Sequence, residues 1–126
     1  MSHGVRRVIP GAQARSGRPL SGAVIANGFV FVSGQTYAEG ADVEAQTRGA
    51  LDKIASLLAE AGTDLSHAAR CTVFMSDLTL TDRMNAIYRT YFPNDPPARA
   101  VVGCALGSAS VFVEIDCVAT LPEPRG

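Results

Sequence analysis

The sequence lacks the features of several protein classes. Its 11 basic and 12 acidic side chains leave a formal net charge of -1 over 126 residues, whereas nucleic-acid-binding domains carry a clear basic excess. No apolar run approaches the ~20 residues that cross a bilayer. No hydrophobic signal-peptide core follows Arg6 and Arg7. We therefore expect a cytoplasmic protein without nucleic-acid or membrane partners.

Cysteine and histidine are also scarce. The three cysteines, Cys71, Cys104 and Cys117, form no CxxC pair, which favours free thiols in a reducing compartment. The two histidines, His3 and His67, are far apart, so no metal site is expected. A His67–Cys71 catalytic pair is conceivable, but a surface histidine and a core cysteine are the favoured interpretation.

Short strands dominate the first third of the chain. Residues 5–9 resemble a strand, and residues 10–22, with three glycines and two prolines, indicate an irregular segment. Two apolar runs, 23–26 and 29–32, flank Asn27-Gly28. Asn-Gly supplies the two positive-φ positions of a type I′ turn. The pattern therefore predicts a hairpin.

Two helices are predicted from apolar spacing. Residues 43–61 carry apolar side chains at a 3.6-residue period, with Asp42 as N-cap and Gly62 just beyond the end. A second helix should open at a capping box in residues 79–82 and stop at Pro93. Strands are expected at 68–75, 99–106 and 110–121.

The element order predicts a single α+β domain over residues 1–126, with a mixed sheet and two helices on one face. Both faces of the last strand carry large apolar groups: Phe112 and Val118 alternate with Val113 and Ile115. Two helices cannot cover both sheet faces. We therefore expect other subunits to bury the uncovered face.

No nucleotide-binding, metalloprotease or serine-hydrolase motif is present. The unusual residue is Arg99, which begins an otherwise apolar strand after Pro96-Pro97. An unpaired buried charge is costly, so spacing alone favours a structural salt bridge from Arg99 to Glu114 or Asp116. The alternative is that the guanidinium binds the carboxylate of a ligand.

Several segments resemble the RidA/YjgF family of small trimeric enamine/imine deaminases. Each segment is short, but their order and spacing together are specific. They include Ser33-Gly34-Gln35 and Pro97-Ala98-Arg99. The matching residues are 31–35, 46–62, 72–78, 84–88, 91–93, 97–101 and 113–116.

The resemblance implies a chorismate-mutase-like fold and a homotrimer with a central barrel of sheets. It also implies active sites between subunits that hydrolyse 2-imino or 2-enamino acids, such as 2-aminoacrylate, to 2-keto acids and ammonia without a cofactor. Arg99 would bind the substrate carboxylate, and Glu114 would activate water. Ser33, Gly34 and Asn85 would bind substrate.

Two family positions differ in this chain: Leu20 stands where a tyrosine is common, and Val101 where a cysteine is common. Asp116 lies on the same strand face as Glu114, and we expect it to have a structural role. Three alternatives stay open. They are a pathway-specific deaminase of an aminomuconate-type compound, a non-catalytic ligand-binding or chaperone-like member, and RNA cleavage, which the net charge disfavours.

Overall fold

A six-stranded sheet organises the chain, and helices cover one of its faces. The computed structural model describes residues 5–123, so His3 lies outside it. The strands are β1 (Arg6–Ile9), β2 (Ala23–Ala26), β3 (Phe29–Gln35), β4 (Ala68–Met75), β5 (Ala98–Gly103) and β6 (Val113–Thr120). The helices are α1 (Gly11–Arg15), α2 (Val43–Ala61) and α3 (Thr81–Tyr91). Within residues 5–123, no helix combines the length and apolarity that a bilayer crossing requires.

The spatial order of the strands is β1-β2-β3-β6-β4-β5. Strands β4 and β5 pair in parallel, and the remaining neighbours are antiparallel. The β2–β3 hairpin is confirmed: Asn27 has φ 52° and Gly28 has φ 83°, as a type I′ turn requires. Strand β5 lies at an edge of the sheet.

Helix α2 has the ends that the sequence predicts. The Asp42 carboxylate accepts a hydrogen bond from the Ala45 amide at 2.8 Å, and Gly62 ends the helix in the left-handed region with φ 94°. Its apolar stripe is buried against the sheet, with Leu51, Ile54 and Leu58 fully covered. The predicted α+β architecture, with two long helices on one face, is confirmed.

Side chains alternate across β6 as expected. Val113, Ile115 and Cys117 are buried beneath the helices, while Glu114 and Asp116 point to the other face. We call this second side the open face. It carries large apolar side chains, with Phe29 42% exposed and Phe31 46% exposed. Such apolar area is typical of an interaction surface.

Two local predictions need correction. The segment at 10–22 contains the short helix α1, which Pro10 opens because its fixed φ of -60° already suits a helical turn. The capping box at 79–82 does not form. The Thr79 hydroxyl instead donates to Asp77 at 2.6 Å, within a 3₁₀ turn at Leu78–Leu80, so α3 begins at Thr81 without a side-chain cap.

The last two strands are shorter than predicted, and they are not neighbours, because β4 lies between them. The buried side chain of Gln46 accounts for the late start of β6. Its amide nitrogen donates to the Ser110 carbonyl at 2.7 Å, and its oxygen accepts from the Phe112 amide at 2.8 Å. These bonds tie the segment before β6 to helix α2 and keep it out of the sheet.

Gly49 in α2 allows the Tyr37 ring to lie directly on the helix, because a Cβ at this position would overlap the ring. Lys53 holds the same loop by donating to the Thr36 carbonyl at 2.8 Å. We predict that Gly49→Ala lowers the free energy of unfolding by ~1–3 kcal/mol through overpacking, although alanine is the better helix former. Thermal unfolding at fixed protein concentration measures this change.

The matched control is Ser56→Ala, an exposed position on the same helix, which should be neutral or slightly stabilising. A Gly49→Ala protein as stable as the wild type would show that Tyr37 does not need this contact.

Candidate active site

Arg99 is the second residue of edge strand β5. In register it lies beside Cys71 of β4, which in turn lies beside Cys117 of β6. Residues paired across a sheet project to the same side, and both cysteines are buried under the helices. Arg99 therefore points to the helix-covered side, where its position on the edge strand leaves the guanidinium accessible.

Helix α3 holds this guanidinium from two directions. Arg99 Nη1 donates to Asn85 Oδ1 at 2.7 Å, and the guanidinium carbon lies 4.8 Å from the centre of the Tyr88 ring. This is cation–π geometry. Burial raises the pKa of the Tyr88 phenol above its ordinary value, so the ring stays neutral. Among residues 5–123, the arginine is thus oriented without a carboxylate partner.

A small cavity of about 290 Å³ opens beside Arg99. Its size is near the lower end for small-molecule sites. Among the described residues, no acidic side chain lines this cavity. The lining residues are Asn85, Tyr88, Arg89, Phe92, Pro96, Pro97 and Arg99. We call this cavity the arginine cleft.

Glu114 lies on the open face of β6, next to an irregularity in β3. Val32 pairs with Cys117 and Gln35 pairs with Ile115, so Ser33 and Gly34 together oppose Asp116 in a β-bulge. The Glu114 carboxylate occupies the space above Gly34, where a Cβ would overlap Glu114 Oε2. Only glycine at position 34 allows this contact.

Two side chains fix the bulge. Ser33 Oγ donates to the Ser21 carbonyl at 2.6 Å. The buried Gln35 amide donates to the Ser33 carbonyl at 3.0 Å and accepts from Gln13 Nε2 at 3.2 Å. The backbone of Ser33 and Gly34 is therefore held rigidly beside the Glu114 carboxylate. We call Ser33, Gly34 and Glu114 the glutamate half-site.

The structure brings Arg99 together with Asn85, and Glu114 together with Gly34, but it separates these two groups. Glu114 is three residues from Cys117 on β6, an odd separation, so it faces the side opposite to Cys117 and Arg99. Strand β4 also lies between them. A small substrate therefore cannot touch both groups within one chain.

The salt bridge that spacing favoured, from Arg99 to Glu114 or Asp116, is not formed among residues 5–123. The reason is the strand order and side-chain alternation just described. Asp116 Oδ1 instead accepts a hydrogen bond from the Thr72 amide at 2.9 Å. Asp116 is thus tied to the neighbouring strand through a backbone group.

His67 and Cys71 occupy different environments. The half-exposed His67 ring contacts Asp64 with Nδ1 3.0 Å from Oδ1, whereas Cys71 is buried in the core. This agrees with a surface histidine and a core cysteine. Among residues 5–123, no cluster of three or more His, Cys, Asp or Glu side chains is arranged to hold a metal ion.

Sequence reasoning missed the two residues that complete the arginine cleft. Tyr88 and Arg89 follow Asn85 at three and four residues, which places all three on neighbouring positions of the helix surface. Tyr88 is a buried residue of α3, and its apolar spacing in the sequence predicts only a core position. The i, i+3, i+4 spacing from Asn85 is the signal that could have identified them. Val101 packs against the core on the same side of β5 as Arg99.

Comparison with known proteins now identifies the family. The family described as Endoribonuclease L-PSP matches residues 12–121. A RutC family protein of Synechocystis is 38% identical over 113 residues, which cover 82% of this chain and 87% of the relative. The chain belongs to the RidA/YjgF family. The resemblance carried by the short sequence motifs is therefore confirmed.

Solved structures of RidA/YjgF proteins share the fold. A YjgF family member from Neisseria meningitidis superposes with a TM-score of 0.88 at 30% identity, covering 98% of this chain and all of that chain. A Rid family protein of unknown function from Yersinia pestis gives 0.83 at 31% identity, covering 93% of this chain and all of that chain.

We predict that Gly34→Ala moves the Glu114 carboxylate. The added Cβ would overlap the end of a flexible side chain, which can rotate away at small cost, so the melting temperature should change little. A crystal structure of the variant should show Glu114 in a different rotamer. Gly107→Ala is the matched control, since open space surrounds that position. An unmoved Glu114 carboxylate would contradict the proposed packing.

Proposed function

We propose that this protein hydrolyses 2-imino acids, or their 2-enamino tautomers, to 2-keto acids and ammonia. The observation that carries the proposal is the guanidinium of Arg99, which Asn85 and Tyr88 orient toward a small cleft. Among residues 5–123, Arg99 forms no ion pair and the cleft has no acidic lining residue. Family membership supports the same reaction class.

Arg99 is suited to bind the substrate carboxylate. A guanidinium has five N–H donors, and Asn85 accepts a hydrogen bond from Nη1. The remaining donors can bind a carboxylate in a bidentate manner, which fixes orientation as well as affinity. Orientation of this kind can supply a large part of a rate enhancement.

We further propose that two subunits of a homotrimer form each site. The arginine cleft of one subunit would face the glutamate half-site of the next. The apolar open face supports this assembly, because the neighbouring, partly exposed rings of Phe29 and Phe31 are typical of an interaction surface. A cyclic assembly repeats the same contact at every interface.

In the proposed reaction, Glu114 accepts a proton from water while the water oxygen bonds to the C=N carbon. The C=N π electrons move to nitrogen, which takes the proton back from Glu114, and a carbinolamine forms. Glu114 then accepts the hydroxyl proton and returns it to the nitrogen, so that the C–N bond breaks, a C=O bond forms and ammonia leaves. The Gly34 amide helps to orient the substrate. The imine is already electrophilic, so the step requires no cofactor.

The alternatives differ in substrate or in chemistry. A pathway-specific deaminase of an aminomuconate-type compound would use the same two half-sites. A ligand-binding or chaperone-like role would use the arginine cleft alone. The family description names an endoribonuclease, but the net charge of -1 favours deamination, and among residues 5–123 neither half-site contains a histidine. The three free cysteines support the cytoplasm as location.

Replacing Arg99 by lysine tests carboxylate binding. Charge-assisted hydrogen bonds contribute ~1.5–3 kcal/mol each, and a lysine offers a point charge instead of a planar fork. We expect kcat/KM to fall at least ~100-fold. The assay generates 2-imino acids with an amino-acid oxidase and measures keto-acid release. Wild-type turnover by folded Arg99→Lys protein would refute the role of Arg99.

Replacing Glu114 by glutamine tests water activation. The variant keeps size and hydrogen bonding but removes the base, so kcat should fall ~10²–10⁴-fold while the assembly stays intact. Asp116→Asn is the matched control, because it removes one charge two residues away on the same strand face. Asparagine retains an oxygen for the Thr72 amide, so we expect normal turnover and slightly lower thermal stability. If Asp116→Asn loses turnover while Glu114→Gln keeps it, Asp116 is the base and Glu114 has the structural role.

Mixing the two inactive variants tests the shared site. After joint unfolding and refolding of Arg99→Lys and Glu114→Gln chains, about one interface in four combines an intact arginine with an intact glutamate. Activity should return to about one quarter of the wild-type activity. Sedimentation near three times 13.2 kDa checks the assembly. No recovery in a correctly assembled mixture would place both residues in one subunit's site.

A further inference from the structure

We propose that Arg89 binds a second acidic group of the substrate, so that the site prefers 2-imino dicarboxylic acids. The inference rests on the proposed function, since it names the substrate class of the same cleft. Its basis is a second guanidinium in the cavity that contains Arg99.

The helix geometry places Arg89 beside the groups that orient Arg99. Arg89 lies four residues after Asn85 on α3, so the two side chains are neighbours on the helix surface. Asn85 accepts the hydrogen bond from Arg99. The substrate carboxylate at Arg99 would therefore lie in the same cavity that Arg89 lines.

Charge balance provides the second argument. Within residues 5–123, neither Arg89 nor Arg99 forms an ion pair, and the cleft has no acidic lining residue. Arg83 on the same helix shows the contrast, since Glu44 accepts from it in a bidentate manner at 2.8 and 2.9 Å. With Glu114 of the adjoining subunit engaged in activating water, a substrate with one carboxylate would leave one of the two guanidinium groups of the cleft without a carboxylate partner.

The chemistry of the site selects the kind of second group. Guanidinium matches the planar geometry of a carboxylate, and the cavity of about 290 Å³ limits the ligand to a small molecule. The simplest compounds that meet both conditions are short 2-imino acids with a carboxylate at the end of the side chain.

Binding of two reaction products tests this inference directly. Calorimetry would compare 2-oxoglutarate with 2-oxopentanoate, which have the same number of carbons but differ in the second carboxylate. The wild type should bind the dicarboxylate more tightly. Since Arg89 is exposed, Arg89→Gln should weaken 2-oxoglutarate binding by roughly fivefold to tenfold and leave 2-oxopentanoate unchanged. Arg89→Lys should retain part of the preference.

Arg48→Gln is the matched control. It removes the same charge from an exposed position of α2 outside the cleft, so both affinities should stay at the wild-type level. Arg89 also lies in the last turn of α3, where a cation stabilises the helix dipole. A purely structural role would lower the melting temperature of Arg89→Gln and leave the dicarboxylate preference intact, which would overturn the inference.

Keto-acid release from the two corresponding imino acids separates the two proposals. Suppose that both imino acids are hydrolysed and that the ratio of their two rates is the same in Arg89→Gln as in the wild type. The role of Arg89 is then refuted and deamination stands. If neither is hydrolysed but the dicarboxylate preference in binding depends on Arg89, deamination is refuted and the second anion site is supported.

Discussion

The central constraint on this structure is side-chain alternation in a sheet whose helices cover one face only. Every second residue of β6 must enter the core beneath α2, so the residues between them must face outward. The same rule sends Arg99 to the helix side of β5. The core therefore dictates where each reactive group can point, and it assigns the arginine and the glutamate to opposite sides.

Strand order reinforces this separation. Parallel pairing of β5 with β4 places β5 at the edge of the sheet, where a guanidinium can pack on a helix and still reach solvent. Gln46 acts just before β6. Its buried amide bonds this segment to helix α2, and these bonds set the point at which β6 begins.

Much of the fold could be predicted from sequence, because local signals carry it. The Asn27-Gly28 turn, the Asp42 cap and the apolar period of α2 depend on residues close together in the chain, and all three are confirmed. The capping box at 79–82 failed because Asp77, just outside it, takes the Thr79 hydroxyl. The start of β6 was predicted too early because Gln46 lies more than sixty residues away from the segment it holds.

The candidate site shows the same division. The family resemblance identified Arg99, Glu114, Asn85, Ser33 and Gly34 as candidates, but no local pattern reveals that β4 separates the arginine from the glutamate. That fact depends on long-range strand pairing. The predicted Arg99–Glu114 salt bridge was wrong for this reason. Tyr88 illustrates a different difficulty, since its apolar position in α3 concealed its contact with the guanidinium.

The placement of the two half-sites on opposite faces has a consequence for the life of a newly made chain. If the proposed sharing holds, a folded subunit is inert until it associates, so folding and activation are separate events. Mass action then links the catalytic activity to the protein concentration. Dilution below the dissociation constant of the assembly would inactivate chains that remain correctly folded. Synthesis level would set not only how many sites exist but also what fraction of them is complete.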